Sequence, residues 1–223
     1  LNFTDIFGAR ASILLSYTLM RLIPLLFLFT LPLGAEDTEQ PATESAPKSA
    51  PWMMADYARF TPATFRLHSP VLQVMDRAKL DIGLLNAAIF FATNAEREKH
   101  NLPMFQTSRA LSACAYEHSR EMAMENFFSH ENPHDPAKRT PWQRMEAKGL
   151  KSGERAENIA MRTTNRLTYL AFADEMLKLW MNSPSHRATI LNRNLLFLGC
   201  GVHPCTCQKF HVYATQSFAS VVP

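Results

Sequence analysis

Four segments of the chain carry side chains able to do chemistry together: Phe127-Phe128-Ser129-His130; Glu157-Asn158-Ile159-Ala160; Trp180 through Arg187 with Ile190-Leu191-Asn192; and Tyr213 through Phe218. Two histidines and one glutamate, His130, His186 and Glu157, are ligand types that suit zinc or another divalent metal, with water in the remaining position. Such a site binds through neutral imidazole and weakens as the pH falls through about 6.5. The competing reading has the same side chains hydrogen-bond one another and orient loops. Glu157 could also serve as general base in a metal-dependent hydrolase, with His130 or His186 as ligand or proton donor. Ser183, Ser185 and Ser217 are nucleophiles by type only. Ser-Pro and Ser-x-His at a helix start more simply form an N-cap, and no G-x-S-x-G elbow is present.

One motif is a false friend. His130-Glu131-Asn132-Pro133-His134 matches H-E-x-x-H letter for letter. In zinc proteases that spacing works because both histidines share one face of a helix. Pro133 removes a backbone donor and pushes Asn132 out of helical geometry, so a loop is expected. Cys200, Cys205 and Cys207 crowd into the C-terminal region while Cys114 lies on a helix. In an oxidising compartment four cysteines permit three connectivities. A bond across the single residue between Cys205 and Cys207 is disfavoured, and Cys200 pairing with one of them is the expectation. A zinc knot using these cysteines with His203 or His211 finds no C-x-x-C spacing in its favour.

The elements that must position these groups follow from periodicity. From Asp81 onward Leu84, Leu85, Ala88, Ile89, Ala92 and Ala95 fall at helical spacing, and Asn101-Leu102-Pro103 marks a stop. A second helix starts after Thr107 or Ser108, with Leu111, Cys114, Ala115, His118 and Met122 as its inner stripe. Thr140-Pro141 opens a short helix that stops at Gly149. A fourth spans about 167–181, and Ser183-Pro184 begins another turn or two. The period then changes: 196–203 and 209–218 read as two strands. Helices against a small antiparallel sheet make an α+β domain.

Composition sets the frame. The 223 residues, 47% hydrophobic and 19% charged with a net charge of +3, suit one domain plus extra segments. That balance excludes a strongly basic nucleic-acid binder. Residues 22–33, LIPLLFLFTLPL, follow Met20-Arg21 and precede Gly34-Ala35-Glu36, the parts of a secretory signal peptide. Twelve helical residues rise only about 18 Å, short of a hydrocarbon core of roughly 30 Å. Residues 1–35 are therefore expected to be a signal peptide, with 1–19 a product of a mis-assigned start. Membrane contact is expected only if that segment is uncleaved. Residues 36–51 read as a disordered linker, 52–80 as an N-terminal extension and 81–223 as the domain.

Taken in order, the four segments resemble bacterial SCP domains of the CAP superfamily, named for cysteine-rich secretory, antigen-five and pathogenesis-related proteins. Asn94-x-x-Arg97 and His118-Ser119-x-x-Met122 extend the likeness, which covers roughly Leu84–Phe218. The resemblance implies a CAP-type α-β-α sandwich with an open cleft lined by two histidines and two acidic residues. By motif position it puts His130, Glu157 and His186 there. Many eukaryotic members have a glutamate three residues after the tryptophan, where this chain has Ser183, as bacterial relatives often do. It also implies that Tyr213 and Gln216 lie on a strand close to the cleft. The function implied is a secreted or periplasmic binding or effector module for a metal, lipid, peptide or cell-envelope ligand. A metal-dependent hydrolase of envelope substrates and a structural envelope domain are the alternatives. Binding leads, because no nucleophile with an orienting third group can be named. A monomer without a nucleic-acid partner is expected.

Overall fold

The computed structural model describes residues 52–164, 166–207 and 209–223. The expected signal segment and linker, 1–35 and 36–51, lie outside the described residues. No helix among the described residues is long and apolar enough to cross a membrane.

Prolines break the extension into short pieces. It forms 3-10 turns at Met54–Arg59, Ser69–Leu72 and Arg77–Lys79, with one helical turn, α1 (Pro62–Phe65), capped by the Thr61 side chain. Its aromatic residues converge on Trp52, whose ring centroid lies 5.4–6.3 Å from those of Tyr57, Phe60, Phe65 and Phe91. Arg66 adds a two-pronged ion pair to Asp174 at 2.8 and 2.7 Å. The extension is thereby part of the core.

Helix α2 (Ile82–Lys99) starts where the Asp81 side chain accepts from the Leu84 N–H. It is followed by β1 (Gln106–Thr107) and α3 (Arg109–Glu125), capped by Ser108 rather than Thr107. Next come α4 (Pro141–Ala147), β2 (Arg155–Thr163), α5 (Tyr169–Met181) and α6 (Pro184–Ile190). Strands β3 (Phe197–Pro204) and β4 (His211–Ala219) close the chain. The sheet order is β1-β3-β4-β2, with β1 parallel to β3 and the other pairings antiparallel. The sheet is mixed, and β2 is a strand that periodicity did not announce.

Alternation along β3 and β4 divides the molecule into layers. Leu198, Cys200, Val202, Val212, Ala214 and Phe218 join α2 and α5 in one apolar core. Gly199 and Gly201 face α3, which lies directly on the strand. A Cβ on Gly199 would fall 2.1 Å from the Leu111 carbonyl carbon, and one on Gly201 2.0 Å from the Tyr116 nitrogen. Ser119 Oγ fastens the contact at 2.8 Å from both the Gly201 carbonyl oxygen and Thr215 Oγ1. This is the α-β-α sandwich that the resemblance implied.

The expected cysteine pairing is corrected. Cys205 and Cys207 are bonded to each other, their Cα atoms 5.2 Å apart, while Cys114 and Cys200 are free and buried. Cys200 points into the α2–α5 core, whereas Cys205 joins Met122, Ile159 and Tyr213 on the α3 side. The sheet separates them.

Candidate functional site

Helix α3 ends at Asn126, whose φ of 56° is left-handed and whose N–H is donated to the Met122 carbonyl. The chain then doubles back through residues 127–135, which hold no helix. The H-E-x-x-H letters therefore fall on a loop, as Pro133 dictates. That loop is pinned from below by α3. His118, fully buried, bonds through Nε2 to the Ser129 carbonyl at 2.9 Å, and Asn132 Nδ2 donates to Glu121 Oε2 at 2.9 Å. The His118 Nδ1 atom has no hydrogen-bond partner and lies 3.8 Å from Glu121 Oε2. Burial raises the Glu121 pKa, but the adjacent His118 imidazole and the bond from Asn132 outweigh it and hold the carboxyl below its ordinary value.

Between the two pins stands His130, its side chain 45% exposed, with Nδ1 3.0 Å from Glu157 Oε1. Glu157 projects from β2 toward α4 and is 3% exposed. A buried carboxylate needs a partner. Arg144 of α4 supplies it, Nη2 donating to Oε1 at 3.0 Å and to Oε2 at 2.9 Å. The same Nη2 donates to the His130 carbonyl at 2.9 Å, and Nη1 donates to the carbonyls of Lys138 and Arg139. One guanidinium thus ties the His130 loop, the following turn and β2 together. With Glu157 as acceptor, the shared proton belongs on His130 Nδ1, which leaves Nε2 to meet a ligand.

His186, on α6, is half-buried. Desolvation, then the charge of nearby His130, push its pKa below the ordinary histidine value. Its carbonyl accepts from Asn158 Nδ2 at 3.3 Å. Ser183 occupies the N-cap position of α6 without a side-chain cap bond, its Oγ 3.4 Å from Ser185 Oγ. Tyr213 is buried, with its ring 6.3 Å from that of the exposed Phe128. Gln216 is fully buried on the other face of β4, where its Nε2 donates to Thr93 Oγ1 at 2.8 Å and its Oε1 accepts from Asn158. Of the residues singled out by sequence, His130 and Glu157 are in direct contact, His186 lies close enough to feel the charge of His130, Tyr213 packs beside Phe128, and Gln216 is an internal tie.

Arg144 is the residue of this cluster that sequence reasoning missed. No spacing announces it; only its place one turn inside a helix opened by Thr140-Pro141 could have drawn attention. The upstream motifs prove structural. Arg97, fully buried, donates to the carbonyls of Pro103, Ile190, Asn192 and Leu195, and Asn94 exchanges two bonds with the Phe105 backbone.

The donor set does not fit the zinc expected from sequence. Among the described residues no group of three His, Cys, Asp or Glu side chains is placed to hold a metal ion. Both Glu157 oxygens already accept from a guanidinium, so only two imidazoles are left, short of the three protein ligands of a catalytic zinc.

Residues 90–218, more than half of the chain, match the family described as CAP: Cysteine-rich secretory protein family. The uncharacterized protein YkwD of Bacillus subtilis (strain 168) is 35% identical over 109 residues, covering 49% of this chain and 38% of that one. The uncharacterized membrane protein YlbC of the same organism is 28% identical over 126 residues, covering 56% and 32%. The chain thus matches only about a third of the length of these curated relatives. Among solved structures, an extracellular protein containing a SCP domain from Bacillus anthracis str. Ames aligns with a TM-score of 0.50 and 30% identity, over 60% of this chain and 40% of that one. An outer surface protein of Borrelia burgdorferi shares the fold at a TM-score of 0.51 and 19% identity, over 62% and 96%. The ordered motifs, the sandwich built on Gly199 and Gly201 and the match over 90–218 agree: the chain belongs to the CAP family of cysteine-rich secretory proteins.

Proposed function

We propose that this chain works outside the cytoplasm as a binding module, its cleft centred on His130 and His186 and taking a polar peptide or glycopeptide ligand of the cell envelope. The observation that carries the reading is the saturation of Glu157. Its carboxylate is buried and bonded to Arg144 and His130, so it orients an imidazole rather than offering a free base or a metal ligand. His130 presents an oriented ring nitrogen, His186 a second imidazole whose neutral form burial favours, and Phe128, 50% exposed, an apolar face beside His130. That combination recognises a ligand with both hydrogen-bonding and apolar parts. Export is supported by the leader-like 22–33 segment and by the extracellular description of the Bacillus anthracis relative.

The test titrates the full chain with soluble muropeptides by calorimetry and analyses the same mixtures for cleavage. Saturable binding without turnover, weakened at least about tenfold by His130→Ala with the fold retained, is the expected result. Muropeptide cleavage abolished by Glu157→Gln would establish the hydrolase instead.

A further inference from the structure

The tightest concentration of sulfur chemistry lies away from the cleft, in the β3–β4 turn. We propose that the Cys205–Cys207 bond is a thiol–disulfide exchange site, opened and closed on the folded protein by low-molecular-weight thiols. The two sulfurs differ in access: Cys205 is 6% exposed and packed, whereas Cys207 faces solvent. An incoming thiolate attacks Cys207 Sγ, forming a mixed disulfide there and releasing Cys205 as thiolate. A second small thiol then attacks the external sulfur of that mixed disulfide and frees Cys207. In sum, two small thiols are oxidised to their disulfide, and the protein pair gains two electrons and two protons.

Three features of the turn favour reversibility. The Lys209 carbonyl oxygen lies 3.2 Å from Cys205 Sγ and 2.6 Å from Cys207 Sγ, so both thiols find an acceptor once the bond opens. Arg77 Nη2 donates to the Cys207 carbonyl at 2.5 Å and reaches that of Cys205 at 3.5 Å, fixing a cation beside the pair, where a thiolate is favoured. The closed loop spans a sequence separation of only 2, and the loop-entropy stabilisation of a disulfide is least for the shortest loops. An exposed disulfide of this kind belongs with the labile ones. The other two cysteines supply the contrast. Burial pushes the Cys114 thiol up to about 12 and the Cys200 thiol higher still, which leaves both inert. Cys205 shares its apolar cluster with Tyr213 and Phe127, so opening the bond touches the floor beneath the His130 loop.

The experiment equilibrates the full chain with mixtures of reduced and oxidised glutathione, blocks free thiols with a maleimide and reads each cysteine by peptide mass spectrometry. Circular dichroism follows the fold in parallel. The pair is expected to pass from closed to open across the mixtures on the folded chain, while Cys114 and Cys200 stay unlabelled until denaturant is added. Cys207 in the Cys205→Ser variant should take up glutathione roughly tenfold faster than Cys205 in Cys207→Ser. A bond that stays closed in reduced glutathione alone until the chain unfolds overturns the proposal, as do equal uptake rates in the two variants. Where a variant fails to fold, the site of the first mixed disulfide trapped on the unaltered chain answers the same question.

Discussion

The two faces of the sheet are built by opposite means. On the α2–α5 face, packing comes from bulk: Phe65, Phe91, Phe172, Trp180 and Phe218 are buried, and Trp52 gathers the extension onto them. On the α3 face, packing comes from the removal of bulk, with Gly199 and Gly201 letting a helix backbone touch a strand. The polar site grows from the second face, where the carboxylate and guanidinium of Glu157 and Arg144 are buried as a pair. Bulk gives stability that tolerates local adjustment. A buried ionic tie fixes positions but fails abruptly when either partner is lost.

The sharpest way to break this comparison sets Arg144→Ala beside Phe65→Ala. Arg144→Ala leaves Glu157 buried without its cation and should cost roughly 3–5 kcal/mol in urea denaturation. Phe65→Ala should cost a similar amount, about 3–5 kcal/mol, by opening a cavity. Only the former should shift the imidazole resonances of His130. Equal shifts in both variants would mean that the two faces are not mechanically distinct. Next in size, Gly201→Ala meets backbone rather than a flexible side chain, and a loss of about 1–3 kcal/mol is expected. A neutral result there would show that α3 can simply step back.

The smallest effect concerns pH. The folded state holds the His186 and His203 pKa values below the ordinary one, for His186 by burial and then by His130, for His203 by burial against a bond to the Pro204 carbonyl. The unfolded chain therefore binds protons more readily. These groups carry no penalty above about pH 6.5, and stability falls as the pH drops below that until it passes the folded values. His186→Asn should remove its share of that decline and leave the share of His203. A slope unchanged in the variant would show that His186 does not titrate this way.

What was legible in the sequence follows the same division. The helices could be read because their caps, Asp81, Ser108 and Thr140, and their apolar repeats act locally. Strand β2 could not, since Glu157 and Asn158 bury polar groups on opposite faces and erase the alternation that marks a strand. The positions that hide the strand are those that build the site and its supports. Pro133 correctly ruled out a helical H-E-x-x-H. The cysteine pairing was misread because spacing does not reveal which side of a sheet each thiol occupies. Arg144 was invisible because its partners come from three separate stretches of chain.

The ladder that pairs Glu157 with Ser217 and Asn158 with Gln216 bears on how the chain finds its fold. A slip of one residue along β4 would turn Glu157 toward Thr93 and the aromatic core, stranding a charge there, and would present Asn158 to Arg144. Such a misaligned intermediate is penalised at two adjacent positions at once. The polar pair on β2 therefore acts as a key during assembly, admitting one alignment of β2 on β4 before any ligand is met.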